Sequence, residues 1–201
     1  MLSTTSRKED YARVLDFMLT GKSFSNKPEP LAQLIGEEWF TLLEASPKPG
    51  ITMTAKERVY IGADERDKIA LIKSRISYDE LTQTAKGELP IVLNEIVKEK
   101  EQRFVEFFNK TGPLNIREHS LELLPGVGKK HLQAIIAARN EKPFESFGDI
   151  SQRVPLLQDP MKLIVDRIIS ELGGTQRFYL FTKPFFKREH ERRYGGFGRS
   201  D

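Results

Sequence analysis

Leu124-Pro125-Gly126-Val127-Gly128-Lys129-Lys130, running on into Leu132, Ala134, Ile135, Ile136 and Arg139, is the stretch on which the reading of this chain turns. Two glycines one position apart link a short apolar segment, Ile116 to Leu123, to a longer one, Lys129 to Asn140. Pro125 fixes one φ and the glycines are free to take φ > 0, so the backbone turns sharply and the two segments form a helical hairpin. The second helix opens at or just after Gly128, where its first N–H groups lack an intrahelical acceptor and sit at the positive end of the helix dipole. With no side chain on Gly126 or Gly128, an anion can approach the main chain itself, and Lys129 and Lys130 add charge beside it. The plain alternative is a tight loop joining two packed helices. The Leu-Pro lead-in, the basic pair and the helix-period face of Leu132, Ile135 and Ile136 favour a phosphate cradle.

Leu124 to Arg139 resembles the helix-hairpin-helix motif of proteins that bind nucleic acid without reading its sequence. The resemblance implies that Gly126, Val127, Gly128, Lys129 and Lys130 grip the phosphate backbone of RNA or DNA.

Sliding the chain by thirty-three residues lays Ile135-Ile136 on Ile168-Ile169 and Leu124 on Leu157, which predicts a second, degenerate hairpin. Its helices are expected over Phe147 to Val154 and Pro160 to Leu172, with Pro160 at the first helical position and Gly173-Gly174 ending it. Asp159 and Met161 stand where the first copy has glycines, so this copy reads as structural. Two hairpins about a pseudo-twofold axis would bury apolar faces that one alone would leave open.

Before the hairpins, Ser77 and Glu80 form a capping box. Leu93, Ile96, Val97, Phe104, Phe107 and Phe108 share one helical stripe over Pro90 to Asn109, which Gly112-Pro113 stops. That spacing makes the three phenylalanines core rather than a stacking platform. Residues 1–78 read differently. Leu31 to Glu44, Arg58 to Gly62 and Ile69 to Ile76 look like strands, and Tyr11 to Leu19 fits a strand or a short helix. A further strand at 177–182 would complete an OB-like barrel. The expected class is α+β: an N-terminal OB-like β-barrel over 1–78, then an all-α helix-hairpin-helix domain over 79–174, and a basic, glycine- and aromatic-containing tail over 183–201.

At 201 residues and 38% hydrophobic content the chain makes one or two small cores. It has no membrane-length apolar run and no signal-peptide h-region, so a cytoplasmic protein without membrane contact is expected. The absence of cysteine and the wide spacing of His119, His131 and His190 argue against a metal site, and no cofactor is expected. Residues 1–78 carry 12 basic and 11 acidic side chains, 79–174 carry 13 and 15, and 175–201 carry 7 and 3, so the positive excess lies in the tail. Arg188, Arg192, Arg193 and Arg199 are accordingly offered as further nucleic-acid contacts, against the plain reading of a solvated terminus. Gly21-Lys22-Ser23 mimics the end of a nucleotide-binding loop without its preceding glycine. No acidic residue stands two before any lysine, which removes a common metal-nuclease signature, and no Gly-x-Ser-x-Gly or cysteine nucleophile is present. No enzyme is expected.

Taken whole, this layout resembles a family of uncharacterised archaeal proteins described as an OB-like barrel joined to a helix-hairpin-helix. That resemblance implies nucleic-acid binding, with a gene setting near translation and ribosomal-RNA modification that favours RNA. The residues alone leave RNA and DNA open. The acidic balance of 79–174 and Asp159 support a different class, a protein-protein interaction adaptor that docks a partner on the hairpins.

Overall fold

The computed structural model describes residues 9–21, 29–157 and 159–185. Five antiparallel strands, β1 (Tyr11–Met18), β2 (Leu31–Gly36), β3 (Leu42–Pro47), β4 (Arg58–Tyr60) and β5 (Ile69–Arg75), lie in the order β4-β1-β2-β3-β5 and curl into a half-barrel. Alternate residues face inward: Ala12, Val14, Ala32, Leu34, Leu43 and Ala45 gather with Val59, Ile61 and Ile69 around Met53. The opposite face of the sheet is also covered, because Leu15, Ile35 and Leu42 pack on the helices. Every residue of β2 is buried, so this strand shows none of the polar alternation that marks a half-exposed sheet.

The register of β1 slips between Val14 and Asp16, making Leu15 the extra residue of a β-bulge. The bulge sends Leu15 towards the helices, while Asp16 Oδ2 accepts a 2.6 Å hydrogen bond from the Thr82 hydroxyl. Thr82 Oγ1 in turn accepts from the Ala85 N–H at 3.0 Å and caps helix α1 (Gln83–Glu99). Buried Gln33 makes the second tie between sheet and helices. Its Nε2 donates to the Glu80 carbonyl at 3.0 Å, and its Oε1 accepts from the Thr82 N–H at 2.8 Å.

The helices are α1, α2 (Glu101–Lys110), α3 (Lys129–Glu141), α4 (Phe147–Arg153) and α5 (Pro160–Leu172). Their apolar faces share one core with the outer face of the sheet, centred on Leu89, Leu93, Phe104, Phe108, Leu121, Ile135 and Ile168. Among the described residues no helix is long and apolar enough to cross a membrane.

Four expectations are corrected. The run Leu31 to Glu44 is two strands split by a tight turn over residues 37–41, and this split supplies the fifth strand. Residues 177–182 form no strand; the Leu180, Phe181 and Thr182 N–H groups donate instead to the Glu171 carboxylate. The helix expected from Pro90 starts at Gln83, holds Pro90 inside it at the cost of one backbone hydrogen bond, and breaks at Lys100. The segment Ile116 to Leu123 is a loop ending in a single 3-10 turn, Ser120–Leu123, because Asn115 Oδ1 accepts from the Arg117 and Glu118 N–H groups at 2.8 and 3.0 Å and turns the chain early. The Ser77 capping box is present, but it closes a 3-10 turn ahead of α1.

Candidate nucleic-acid interface

The loop between the Ser120–Leu123 turn and α3 is anchored from beneath. Leu121, Leu124 and Val127 are buried in the shared core, and the Val127 N–H donates to the Leu124 carbonyl at 3.1 Å. Gly126 adopts φ +79°, the left-handed region, and a Cβ built on Gly126 or on Gly128 meets no atom within 4 Å. Both glycines, Lys129 and Lys130 are exposed. The surface above the loop is bare backbone.

Gly128 is the N-cap of α3, in extended backbone at φ −95°. It has no side chain to satisfy the first-turn amides, which no carbonyl of the helix can reach. The Gly128 N–H faces His131 Nδ1 at 3.5 Å, a long contact that a phosphate oxygen would outcompete. Residues 126–130 thus bring together two open glycines, unsatisfied amides at a positive helix end and two lysines. Val127 differs from its neighbours in the sequence-derived set: its side chain points into the core and its amide is used, so it shapes the loop without facing a ligand.

The start of α5 makes the contrast. There Asp159 is the N-cap, and its Oδ1 accepts from the Met161 and Lys162 N–H groups at 2.9 and 3.4 Å. The repeat positions agree in burial: Ile135 and Ile168 are each 0% exposed, and Leu124 and Leu157 are 1% and 8% exposed. A carboxylate of the chain occupies at α5 the position left open at α3.

Other polar side chains fix the surroundings. Arg139 Nη1 donates to the carbonyls of Phe108 and Thr111 at 2.9 and 2.8 Å, tying α3 to the end of α2. His119 Nδ1 accepts from the Leu121 N–H at 3.1 Å, capping the turn that leads into the loop. Burial and the charge of Arg139 hold the His119 imidazole below its usual pKa, against the opposing pull of Glu122. Buried Arg167 on α5 donates through Nη1 to the Leu123 carbonyl and to Gln176 Oε1, through Nε to Glu171, and through Nη2 to the Phe178 carbonyl.

The family described as a protein of unknown function, DUF655, matches residues 8–183. The chain belongs to this family. The chain is 45% identical over 178 residues to the uncharacterised protein MJ0038 of Methanocaldococcus jannaschii, covering 87% of this chain and 80% of the relative. It is 50% identical to the protein in the crystal structure of Af1531 from Archaeoglobus fulgidus, with a TM-score of 0.82 over 87% of this chain and 100% of that one. Both relatives are archaeal.

The DUF655 match includes all of the loop residues. Arg188, Arg192, Arg193 and Arg199 lie outside the described residues. Sequence reasoning assigned no role to Glu9 or Arg103, whose partners are distant in the chain, nor to Arg167, which joins Glu171 one helical turn on to the far-off Leu123 carbonyl.

Proposed function

We propose that the chain is a non-catalytic, sequence-nonspecific nucleic-acid-binding protein that grips the phosphate backbone through a helix-hairpin-helix, the first of two, in an RNA-related process. The observation that carries the reading is the difference between the two helix starts: α5 is closed by Asp159, whereas α3 offers open glycines, free first-turn amides and exposed Lys129 and Lys130. The five-stranded half-barrel beside it fits an OB-like barrel. The preference for RNA rests on the gene setting implied by the family resemblance.

The test is binding to labelled duplex DNA, single-stranded DNA and structured RNA across a salt series. Hairpin and tail together should give a slope of log affinity against log salt of about −3 to −6. Gly128→Asp gives α3 the kind of N-cap that Asp159 gives α5 and should weaken binding to all sequences alike, as should the charge reversal of Lys129 and Lys130 to Glu. Unchanged affinity in both variants would sink the reading. A second reading, docking of a protein partner, is favoured by Ile116 and Leu156, apolar residues 105% and 75% exposed in the loops ahead of α3 and α5. Co-purification of a protein free of nucleic acid, lost on Ile116→Ser, would support it.

A further inference from the structure

Past the end of α5 the chain returns to the first hairpin. One nitrogen of the buried Arg167 guanidinium, Nη1, donates to the Leu123 carbonyl at 3.0 Å and to Gln176 Oε1 at 3.1 Å, so these two residues meet across a single atom. Nη2 of the same group donates to the Phe178 carbonyl. Further on, the N–H groups of Leu180, Phe181 and Thr182 are taken by Glu171. Arg177 is therefore the middle residue of a stretch pinned on both sides. It stands one residue from Gln176, and Gly126 stands three from Leu123. An extended residue spans at most about 3.6 Å, so Arg177 and the open glycines lie within the length of one short oligonucleotide.

Arg177 is exposed, and among the described residues it makes no ion pair and no hydrogen bond. The arginines packed between the hairpin helices are engaged: Arg139 with the Phe108 and Thr111 carbonyls, Arg153 with Asp149 and the Ala138 carbonyl, and Arg167 as above. What holds Arg177 is the Phe178 ring, whose centre lies 5.0 Å from its Cζ. A guanidinium over an aromatic face uses its flat side and keeps the N–H groups at its rim for an acceptor.

An exposed planar cation without an internal counter-ion, on backbone fixed before any ligand arrives, suits bidentate capture of a phosphate at little ordering cost. We propose that Arg177, seated on Phe178, is a second phosphate contact of the cradle, so that the site takes an oligonucleotide backbone of several linkages rather than an isolated phosphate group. The assignment deepens the nucleic-acid reading above and rests on it for the class of ligand.

Anisotropy of a fluorescein-labelled dodecauridylate, titrated with the full chain across a salt series, supplies the readout. Arg177→Gln should weaken binding about tenfold, the loss of one hydrogen bond to a charged group. It should also flatten the slope of log affinity against log salt by about 0.7, the share of one phosphate on a single strand. Arg177→Lys, which keeps the charge and loses the fork, should restore the slope. The position is exposed, so neither variant should move the unfolding midpoint. Unlabelled uridine monophosphate should displace the strand far less than unlabelled dodecauridylate at equal phosphate concentration. Parental affinity and slope in Arg177→Gln while Gly128→Asp weakens binding, or equal displacement by the mononucleotide, overturns the second contact and leaves the hairpin reading standing. A loss in Arg177→Gln while Gly128→Asp and the lysine reversals bind like the parent overturns the hairpin reading, and with it the shared site. No binding at any salt overturns both.

Discussion

Arg167 on α5 donates to the carbonyl of Leu123 at 3.0 Å, fastening the second helical pair to the residue that leads into the Leu124–Gly128 loop. The same guanidinium is ion-paired with Glu171, and both side chains are almost wholly buried. Breaking such a pair by removing one partner leaves an uncompensated charge and stranded carbonyls. Arg167→Met should therefore destabilise the chain by about 3–5 kcal/mol in urea unfolding. A loss under about 1 kcal/mol would mean that the Leu123 and Phe178 carbonyls find other donors.

The two loop glycines should respond in opposite directions. Gly126→Ala enters open space but must hold φ +79°, and should cost about 1–2 kcal/mol. Gly128→Asp enters open space at an extended N-cap and should leave stability equal or raise it by a few tenths of a kcal/mol, since Gly is only slightly worse than Asp there. Comparing their unfolding midpoints is the check; a large loss at Gly128→Asp would show that its backbone cannot accept the cap.

These glycines, with Asp159, Pro160 and Gly173-Gly174, show what was legible in the sequence: local backbone chemistry marked the start of α3 and both ends of α5. Long-range determinants were hidden. β2 is buried on both faces and therefore merged with β3 in a pattern-based reading. The bulge at Leu15 broke the period of β1 and left strand and helix undecided there. The aromatic run at 177–182 looked like a strand because nothing nearby shows that Glu171 takes its amides. At the candidate site, the openness of Gly126 and Gly128 followed from residue type. The burial of Val127, and the meeting of Leu123 with Gln176 across Arg167, depend on packing between segments far apart in the chain.

Gly36 lies beneath the Glu9 side chain, and a Cβ there would stand 2.1 Å from Glu9 Cδ. Gly36→Ala should destabilise by about 1–3 kcal/mol through overpacking. If the clash is the cause, the cost of Gly36→Ala should shrink in a Glu9→Ala background, as a double-mutant cycle would show; equal costs in both backgrounds would refute it.

Acid should weaken the fold in two stages. The folded His119 imidazole titrates below its unfolded value of about 6.5, so the unfolded chain takes the proton first. Its contribution is complete above about pH 6.5 and is lost as the pH falls through the folded value. Burial alone would raise the Glu37 carboxyl, but hydrogen bonds and charge from Arg58 and Arg13 prevail and hold it below the usual carboxylate value. That contribution is complete above about pH 4.3 and lost below it, as the pH falls through the depressed value. His119→Asn keeps an oxygen for the Leu121 N–H and should flatten only the first stage of a plot of unfolding midpoint against pH. An unaltered first stage would assign it to another group.

Glu9 and Glu171 each gather three amides from a neighbouring irregular segment, one near the beginning of the described chain and one near its end. Solvent exchange normally maps rigidity onto helices and strands, with turns and tails reporting as loose. Here the slowest-exchanging protons should include those of Glu38, Trp39, Thr41, Leu180, Phe181 and Thr182. A deuterium map of this chain would then trace its mechanical frame through two stretches without regular secondary structure.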